Sequence, residues 1–92
     1  MHLLQVCNVG NVCGGTAACA WEITRALPTC RHTVAFLSPM SRDTRSAFGH
    51  CVVQEWRTVD SRMLQQLEAD LLVLHNISTD RVCDVTAPLV VQ

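Results

Sequence analysis

The chain alternates short apolar runs with more polar segments. Four runs are apolar enough to be buried strands, and a fifth run begins near Leu89; the four cover residues 3–9, 30–38, 50–56 and 70–77. Continuous apolar runs of this length are typical of parallel strands that are covered on both faces. Residues 16–27 and 60–69 instead show helical spacing. The alternation predicts an α/β fold with a parallel sheet and helices on both faces.

The predicted helices have different boundary signals. The first ends at Pro28, and its apolar residues lie imperfectly on one face, namely Ala18, Trp21, Ile23, Ala26 and Leu27. The second begins after Asp60, a residue type that caps helices at their amino end. Residues 41–48 are polar and form either a loop or a short helix, and residues 78–85 form a loop with at most one helical turn.

Length and composition limit the chain to one small domain or part of one. It has 92 residues, of which 49% are hydrophobic, so a packed core is expected. The formal net charge is −1, which argues against a nucleic-acid partner. No apolar run is long enough to cross a bilayer. Because the fifth strand lacks a helix to cover it, we expect these residues to be the amino-terminal piece of a longer protein.

The six cysteines indicate neither disulfides nor a zinc site. They fall within apolar strands and helices, where a cysteine behaves as a small hydrophobic residue. The first strand follows Met1 directly, with no basic segment of a signal peptide before it. Zinc ligands usually come in close pairs, and no two of these cysteines are so spaced. We therefore expect reduced, structural cysteines and no metal.

Residues 10–15 form a glycine-containing loop between the first strand and the first helix. The start of a helix offers free backbone N–H groups to an anion, and Gly14 and Gly15 allow close approach because they lack Cβ. In parallel sheets, ligands bind at the carboxyl ends of strands where the strand order reverses. If the fourth strand lies beside the first, His75 and Asn76 line the same crevice as this loop.

Two common nucleotide-binding motifs are excluded. The dinucleotide fingerprint requires G-x-G-x-x-G, whereas the glycines here are Gly10, Gly14 and Gly15. That fingerprint also requires an acidic residue at the end of the second strand, and residues 36–39 are F-L-S-P. A P-loop needs a lysine, and all seven basic residues of this chain are arginines.

Several short motifs, taken in order, resemble the start of a GT-B glycosyltransferase of the retaining family 4 type. They are V-C-N-V-G, G-G-T, R-A-L-P, H-T-V-A-F-L-S and A-D-L-L-V-L-H-N-I, and they span Met1 to about Ile77. The resemblance implies that residues 1–92 are the amino-terminal, acceptor-side part of a Rossmann-like domain. The carboxyl-terminal domain, which binds the donor in that family, is absent from this sequence.

The resemblance also implies roles for individual residues. Gly14 and Gly15 would lie near the donor diphosphate and the acceptor, with Thr16 beginning the helix. His75 would be the catalytic residue that faces the transferred sugar, and Asn76 would line the same cleft.

For the whole enzyme, the resemblance implies a nucleotide-sugar donor and a glycan or lipid-linked acceptor, with no cofactor, metal or nucleic acid. Such an enzyme is cytoplasmic, either free or peripheral at the inner face of the membrane. The family's paired glutamates and its diphosphate-binding basic residues lie in the absent domain. We therefore expect the 92-residue chain alone to be inactive.

The residues by themselves leave another interpretation open. The chain is then a stand-alone, flavodoxin-like module that binds a nucleotide or a phosphate. The residues also have purely structural interpretations of their own, in which Gly14 and Gly15 form only a tight strand-to-helix turn and His75 is a buried core histidine. His2, His32 and His50 precede or begin strands, at the edge opposite the predicted site, and we expect no functional role for them.

Overall fold

The computed structural model of the chain describes residues 1–8, 15–75, 77, 82–83 and 89–91; for residues 15, 16, 82, 83 and 89–91 it describes the backbone alone. The elements, in chain order, are β1 His2–Cys7, α1 Gly15–Ala26, β2 Arg31–Phe36, α2 Arg42–Ala47, β3 Val52–Glu55, β4 Val59–Asp60, α3 Ser61–Leu67, β5 Leu71–His75, β6 Val82–Cys83 and β7 Leu89–Val91. Among these residues, every helix is too short or too polar to span a bilayer.

Five strands form one parallel sheet in the order β3-β2-β1-β5-β7. The chain moves outward from β1 to β3 and then crosses to the other side of β1 for β5 and β7. This order is that of a Rossmann-like α/β sheet, which confirms the predicted fold class. β5, the fourth strand of the sheet, pairs directly with β1, which meets the condition set above for a crevice shared by the two strand ends.

Helices cover both faces of the sheet, as predicted. On one face α3 packs over a core of eight buried residues, which are Leu4, Val6, Ala35, Leu37, Val59, Leu64, Leu72 and Leu74. On the other face lie α1 and the end of α2, over a core formed by Cys7, Ala17, Ala20, Val34, Phe36 and Phe48. We call these the α3-side core and the α1-side core. Phe36 and Phe48 meet edge to face in the second, with ring centroids 5.6 Å apart.

The predicted buried face of α1 is partly wrong. Its buried residues are Ala17, Ala20 and Thr24, whereas Ala26 and Leu27 are exposed. Small side chains at the contact bring the helix close to the sheet, and the hydroxyl of Thr24 donates to the Trp21 carbonyl at 2.6 Å. A polar residue at a buried position is therefore satisfied within the helix itself.

Three local predictions are decided by backbone hydrogen bonds. The Asp60 cap is confirmed, because its carboxylate accepts from the backbone N–H of Met63 at 3.0 Å. Residues 41–48, left open as a loop or a helix, contain α2, which Ser41 caps. The loop predicted for residues 78–85 is wrong in part, because β6 pairs in parallel with β4. A ladder of two residues has no hydrophobic period by which a sequence could reveal it.

Candidate functional site

The strand order places the carboxyl ends of β1 and β5 side by side. Cys7 at the end of β1 lies opposite His75 at the end of β5. After β1 the chain turns back along the sheet as α1, so α1 begins at this same edge. In α/β sheets ligands bind at the carboxyl ends of the two strands between which the strand order reverses. We call this edge the switch point and take it as the candidate site.

The structure describes the predicted site residues unequally. Gly15 is the first residue of α1 and Thr16 the second, so both belong to the turn that offers free N–H groups. Gly14 and Asn76 lie outside the described residues. His75 ends β5, and it is the one predicted site residue whose side-chain surroundings are described.

His75 is buried and hydrogen-bonded. It is 2% exposed, and its Nε2 lies 2.8 Å from Oε1 of Gln5. The Gln5 amide nitrogen donates to the carbonyl of Ala20 at 3.1 Å, so the Gln5 oxygen is an acceptor and Nε2 of His75 carries the proton. Burial lowers the pKa of His75. The imidazole is therefore neutral at pH 7, and its Nδ1 carries a lone pair.

Gln5 is the residue beside the candidate site that the sequence analysis missed. It is completely buried on the central strand and joins three elements, because its amide binds β5 through His75 and α1 through Ala20. Because both ends of the Gln5 amide are bonded, the amide is fixed and in turn orients the His75 ring. The signal was available in the sequence, as a single amide within the apolar strand L-L-Q-V-C.

The thiol beside His75 is buried and neutral. Loss of solvation, and then the nearby Cys19, raise the pKa of Cys7 to about 12. A neutral thiol is a poor nucleophile and a poor metal ligand. Nor do the described residues include any group of three or more histidine, cysteine, aspartate or glutamate side chains that could hold a metal ion. The described chemistry at the switch point is thus that of hydrogen bonds and backbone dipoles.

A hollow of about 390 Å³ lies at the same edge, beside the switch point. It is lined by residues 37–39, which follow β2, and residues 55–57, which extend from the end of β3. The Glu55 carboxylate accepts from the Met40 N–H at 3.0 Å and from Arg45 at 3.4 Å. The Trp56 indole N–H donates to Gln54 at 2.6 Å. Both side chains are therefore held in place at the rim of the sheet.

The larger described cavities lie at the opposite, amino edge. Their volumes are about 690 and 620 Å³. Cavity size and strand order therefore disagree on where a ligand would bind. We follow strand order for the candidate active site, because in the described part of the chain the carboxyl edge joins a buried, oriented histidine to the start of a helix.

Comparisons of the chain with protein-family profiles, with curated proteins and with solved structures found no match. The Rossmann-like α/β sheet is thus established from the strand order itself. The resemblance to GT-B glycosyltransferases stays a prediction, and its support has to come from the residues at the carboxyl edge.

Proposed function

We propose that this chain forms the acceptor-side part of a retaining glycosyltransferase whose nucleotide-sugar donor reaches the switch point. The observation that carries the proposal is the pairing of β1 with β5, since it brings the start of α1 and His75 to one edge. A sugar nucleotide needs N–H donors for its diphosphate and polar partners for its hydroxyl groups. Both kinds of group occur at this edge.

The start of α1 supports a role in binding the diphosphate. The first backbone N–H groups of a helix have no partner within it, and the helix dipole makes that end positive. Gly15 opens this turn without a side chain to obstruct an approaching phosphate. Gly14 and Thr16 belong to the same proposed contact.

The hydrogen bond from His75 to Gln5 supports a role in holding the sugar. With Nε2 bound to Gln5, the lone pair on Nδ1 is the acceptor that a sugar hydroxyl requires. A neutral ring in a fixed orientation binds a hydroxyl group without introducing a positive charge. Asn76 follows directly in the chain and is proposed to line the same crevice.

The reaction proposed for the complete enzyme is a substitution with retention. The bond between the anomeric carbon and the diphosphate oxygen breaks, and the acceptor oxygen forms its bond on the same face of the sugar. The acceptor's proton passes to the departing diphosphate, which carries the developing negative charge. The N–H groups of α1 stabilise that charge, so this chain contributes positioning and electrostatics.

The hollow beside the switch point suits the acceptor. Trp56 provides an aromatic surface for the apolar face of a sugar ring, and its indole is held by Gln54. Glu55 and Arg57 line the same hollow and offer charged hydrogen-bonding groups to hydroxyls. We therefore propose a glycan, free or lipid-linked, as the acceptor.

The test is an assay of the protein expressed from its complete reading frame, with UDP- and GDP-sugars as donors. We expect release of the nucleoside diphosphate, and a product whose anomeric configuration, read by NMR, matches that of the donor. His75→Gln should lower kcat/KM by about 10- to 100-fold, the cost of one hydrogen bond in the transition state. The matched control is His32→Gln at the opposite edge, which should change kcat/KM less than about twofold.

Two results would contradict the proposal. One is that no donor releases its diphosphate; the other is that His75→Gln and His32→Gln have equal kcat/KM. Binding of a nucleotide without turnover would instead favour the stand-alone binding module.

A further inference from the structure

One cavity lies away from the proposed active site, at the amino ends of β2 and β3. Its volume is about 690 Å³, which lies within the usual range of small-molecule sites. The end of α1, the turn into β2 and the turn into β3 each contribute to its wall. The lining residues with charged or titratable side chains are Arg25, Cys30, Arg31, His32, His50 and Cys51. We call this cavity the amino-edge cavity.

The charge of the amino-edge cavity is one-sided. Two arginines and two histidines line it, and none of its described lining residues is an aspartate or a glutamate. The whole chain has a formal net charge of −1, so this positive character is local. Arg25 also lies in the last turn of α1, where its full positive charge exceeds the partial negative charge of about half a unit at the helix end. The lining therefore favours an anion.

Two of the basic side chains are held in position. The guanidinium carbon of Arg25 lies 5.3 Å from the centre of the Trp21 ring, a cation–π contact. The Thr24 hydroxyl donates to the Trp21 carbonyl and in turn accepts from Nε2 of His50 at 2.8 Å. Preorganised groups lose less entropy when a ligand binds, so the anion would meet donors already in place.

The uncharged residues of the cavity wall indicate what kind of chemical group carries the anion. Pro28 and Val52 give the cavity an apolar wall, and Val52 is 55% exposed. Burial raises the pKa of the Cys51 thiol, so no thiolate opposes an anion there. Arg31 also borders a separate hollow that contains Glu68 and Asp70, and neither of these carboxylates lines the amino-edge cavity. An anion with an apolar body fits both parts of the cavity.

We propose that the amino-edge cavity binds a phosphorylated small molecule, with its phosphate on Arg25 and Arg31 and its apolar body against Pro28 and Val52. The planar guanidinium matches a phosphate in two parallel hydrogen bonds, so arginine pairs suit this ligand class. The cavity lies at the edge opposite the switch point and shares none of its residues. The ligand of this site is therefore additional to any sugar donor or acceptor.

The test is an NMR titration of the full chain with adenosine 5′-monophosphate as the probe and adenosine as its uncharged counterpart. We expect the amide signals of residues 49–52 and the imidazole signals of His50 to shift, while those of His75 stay in place. Arg25→Gln combined with Arg31→Gln should raise the Kd by about tenfold or more. The matched control is Arg42→Gln with Arg62→Gln, which removes the same charge from exposed helix positions and should change the Kd less than about twofold.

Three outcomes would overturn the proposal. The first is the absence of shifts at residues 49–52 up to about 10 mM probe, a concentration that still reveals weak sites. The second is an equal loss of affinity in both double variants, which would mean general attraction by charge. The third is equal binding of adenosine. Arg25 and Arg31 are both exposed, so the fold should survive, as circular dichroism will show. If the double variant unfolds, Arg31→Gln alone decides the question.

Discussion

Two buried histidines hold the central strands at their opposite ends. At the amino end, His2 places its ring nitrogens 2.7 Å from the Leu67 carbonyl and 2.7 Å from the Thr33 hydroxyl. Both partners belong to the folded scaffold, so the ring of His2 serves structure. At the carboxyl end, His75 has one nitrogen bound to Gln5, and the ring lies at the candidate site. Both rings are buried. They differ in position, because His2 lies at the amino edge of the sheet and His75 at the carboxyl edge, where the candidate site is.

The burial of His75 predicts a pH dependence of stability. Because its pKa is lowered in the folded state, the unfolded chain binds more protons between that value and about 6.5. The contribution of neutral His75 to the free energy of unfolding is complete above about pH 6.5. It is lost as the pH falls toward the folded-state pKa, because protonation favours the unfolded chain. The slope from this one group is at most about 1.4 kcal/mol per pH unit.

Urea unfolding between pH 7 and pH 5 measures this effect. We expect wild type to lose stability faster over that interval than His75→Gln, which has no imidazole at this position. Parallel pH profiles for the two proteins would show that His75 does not titrate differently in the folded and unfolded chains.

At the scale of elements, the end of α3 carries the one described non-glycine residue with positive φ. Glu68 has φ 53° and ψ 42°, and its N–H donates to carbonyls of the last helical turn. This left-handed conformation closes helices well, but a residue with a Cβ adopts it at a cost. Glu68 therefore ends α3 in the required left-handed conformation, which glycine would adopt at a lower cost.

Glu68→Gly should stabilise the protein by about 0.5–1 kcal/mol, because glycine adopts a positive φ without strain. The measurement is the urea midpoint at constant slope. Glu68→Ala is the matched control, because alanine removes the carboxylate and keeps the Cβ, and it should gain nothing. A gain of equal size in both variants would assign the effect to the charge and not to the backbone.

At the scale of the whole molecule, the sequence predicted the parts that hydrophobic pattern controls. The fold class and the five sheet strands follow from apolar runs separated by helical spacing, whereas the pairing of the first strand with the fourth is known only from the structure. The hydrophobic pattern does not show which face of α1 packs on the sheet. That face is formed by small alanines and by Thr24, whose hydroxyl is satisfied within the helix. The lone amide of Gln5 is visible in the sequence, but its partners are not, because His75 and Ala20 are distant along the chain. The β4–β6 ladder was unpredicted for the same reason, since it too pairs residues that are far apart along the chain.

The two cores should melt as one unit, because they share the sheet that lies between them. Leu72 is fully buried on β5 in the α3-side core, so Leu72→Ala should cost about 2–5 kcal/mol in unfolding free energy. Leu27→Ala is the matched control: Leu27 is 44% exposed, and the same substitution there should cost less than about 1 kcal/mol.

Each core has its own tryptophan as a reporter, since Trp56 packs against the α3-side core and Trp21 against the α1-side core. In variants that keep only one tryptophan, Leu72→Ala should lower the urea midpoint by the same amount for either reporter. Both β1 and β2 carry buried side chains in each of the two cores, so weakening one core weakens the other. A shift seen by Trp56 alone would mean that the α1-side core unfolds separately. The oriented histidine at the switch point would then belong to a unit whose stability is independent of α3.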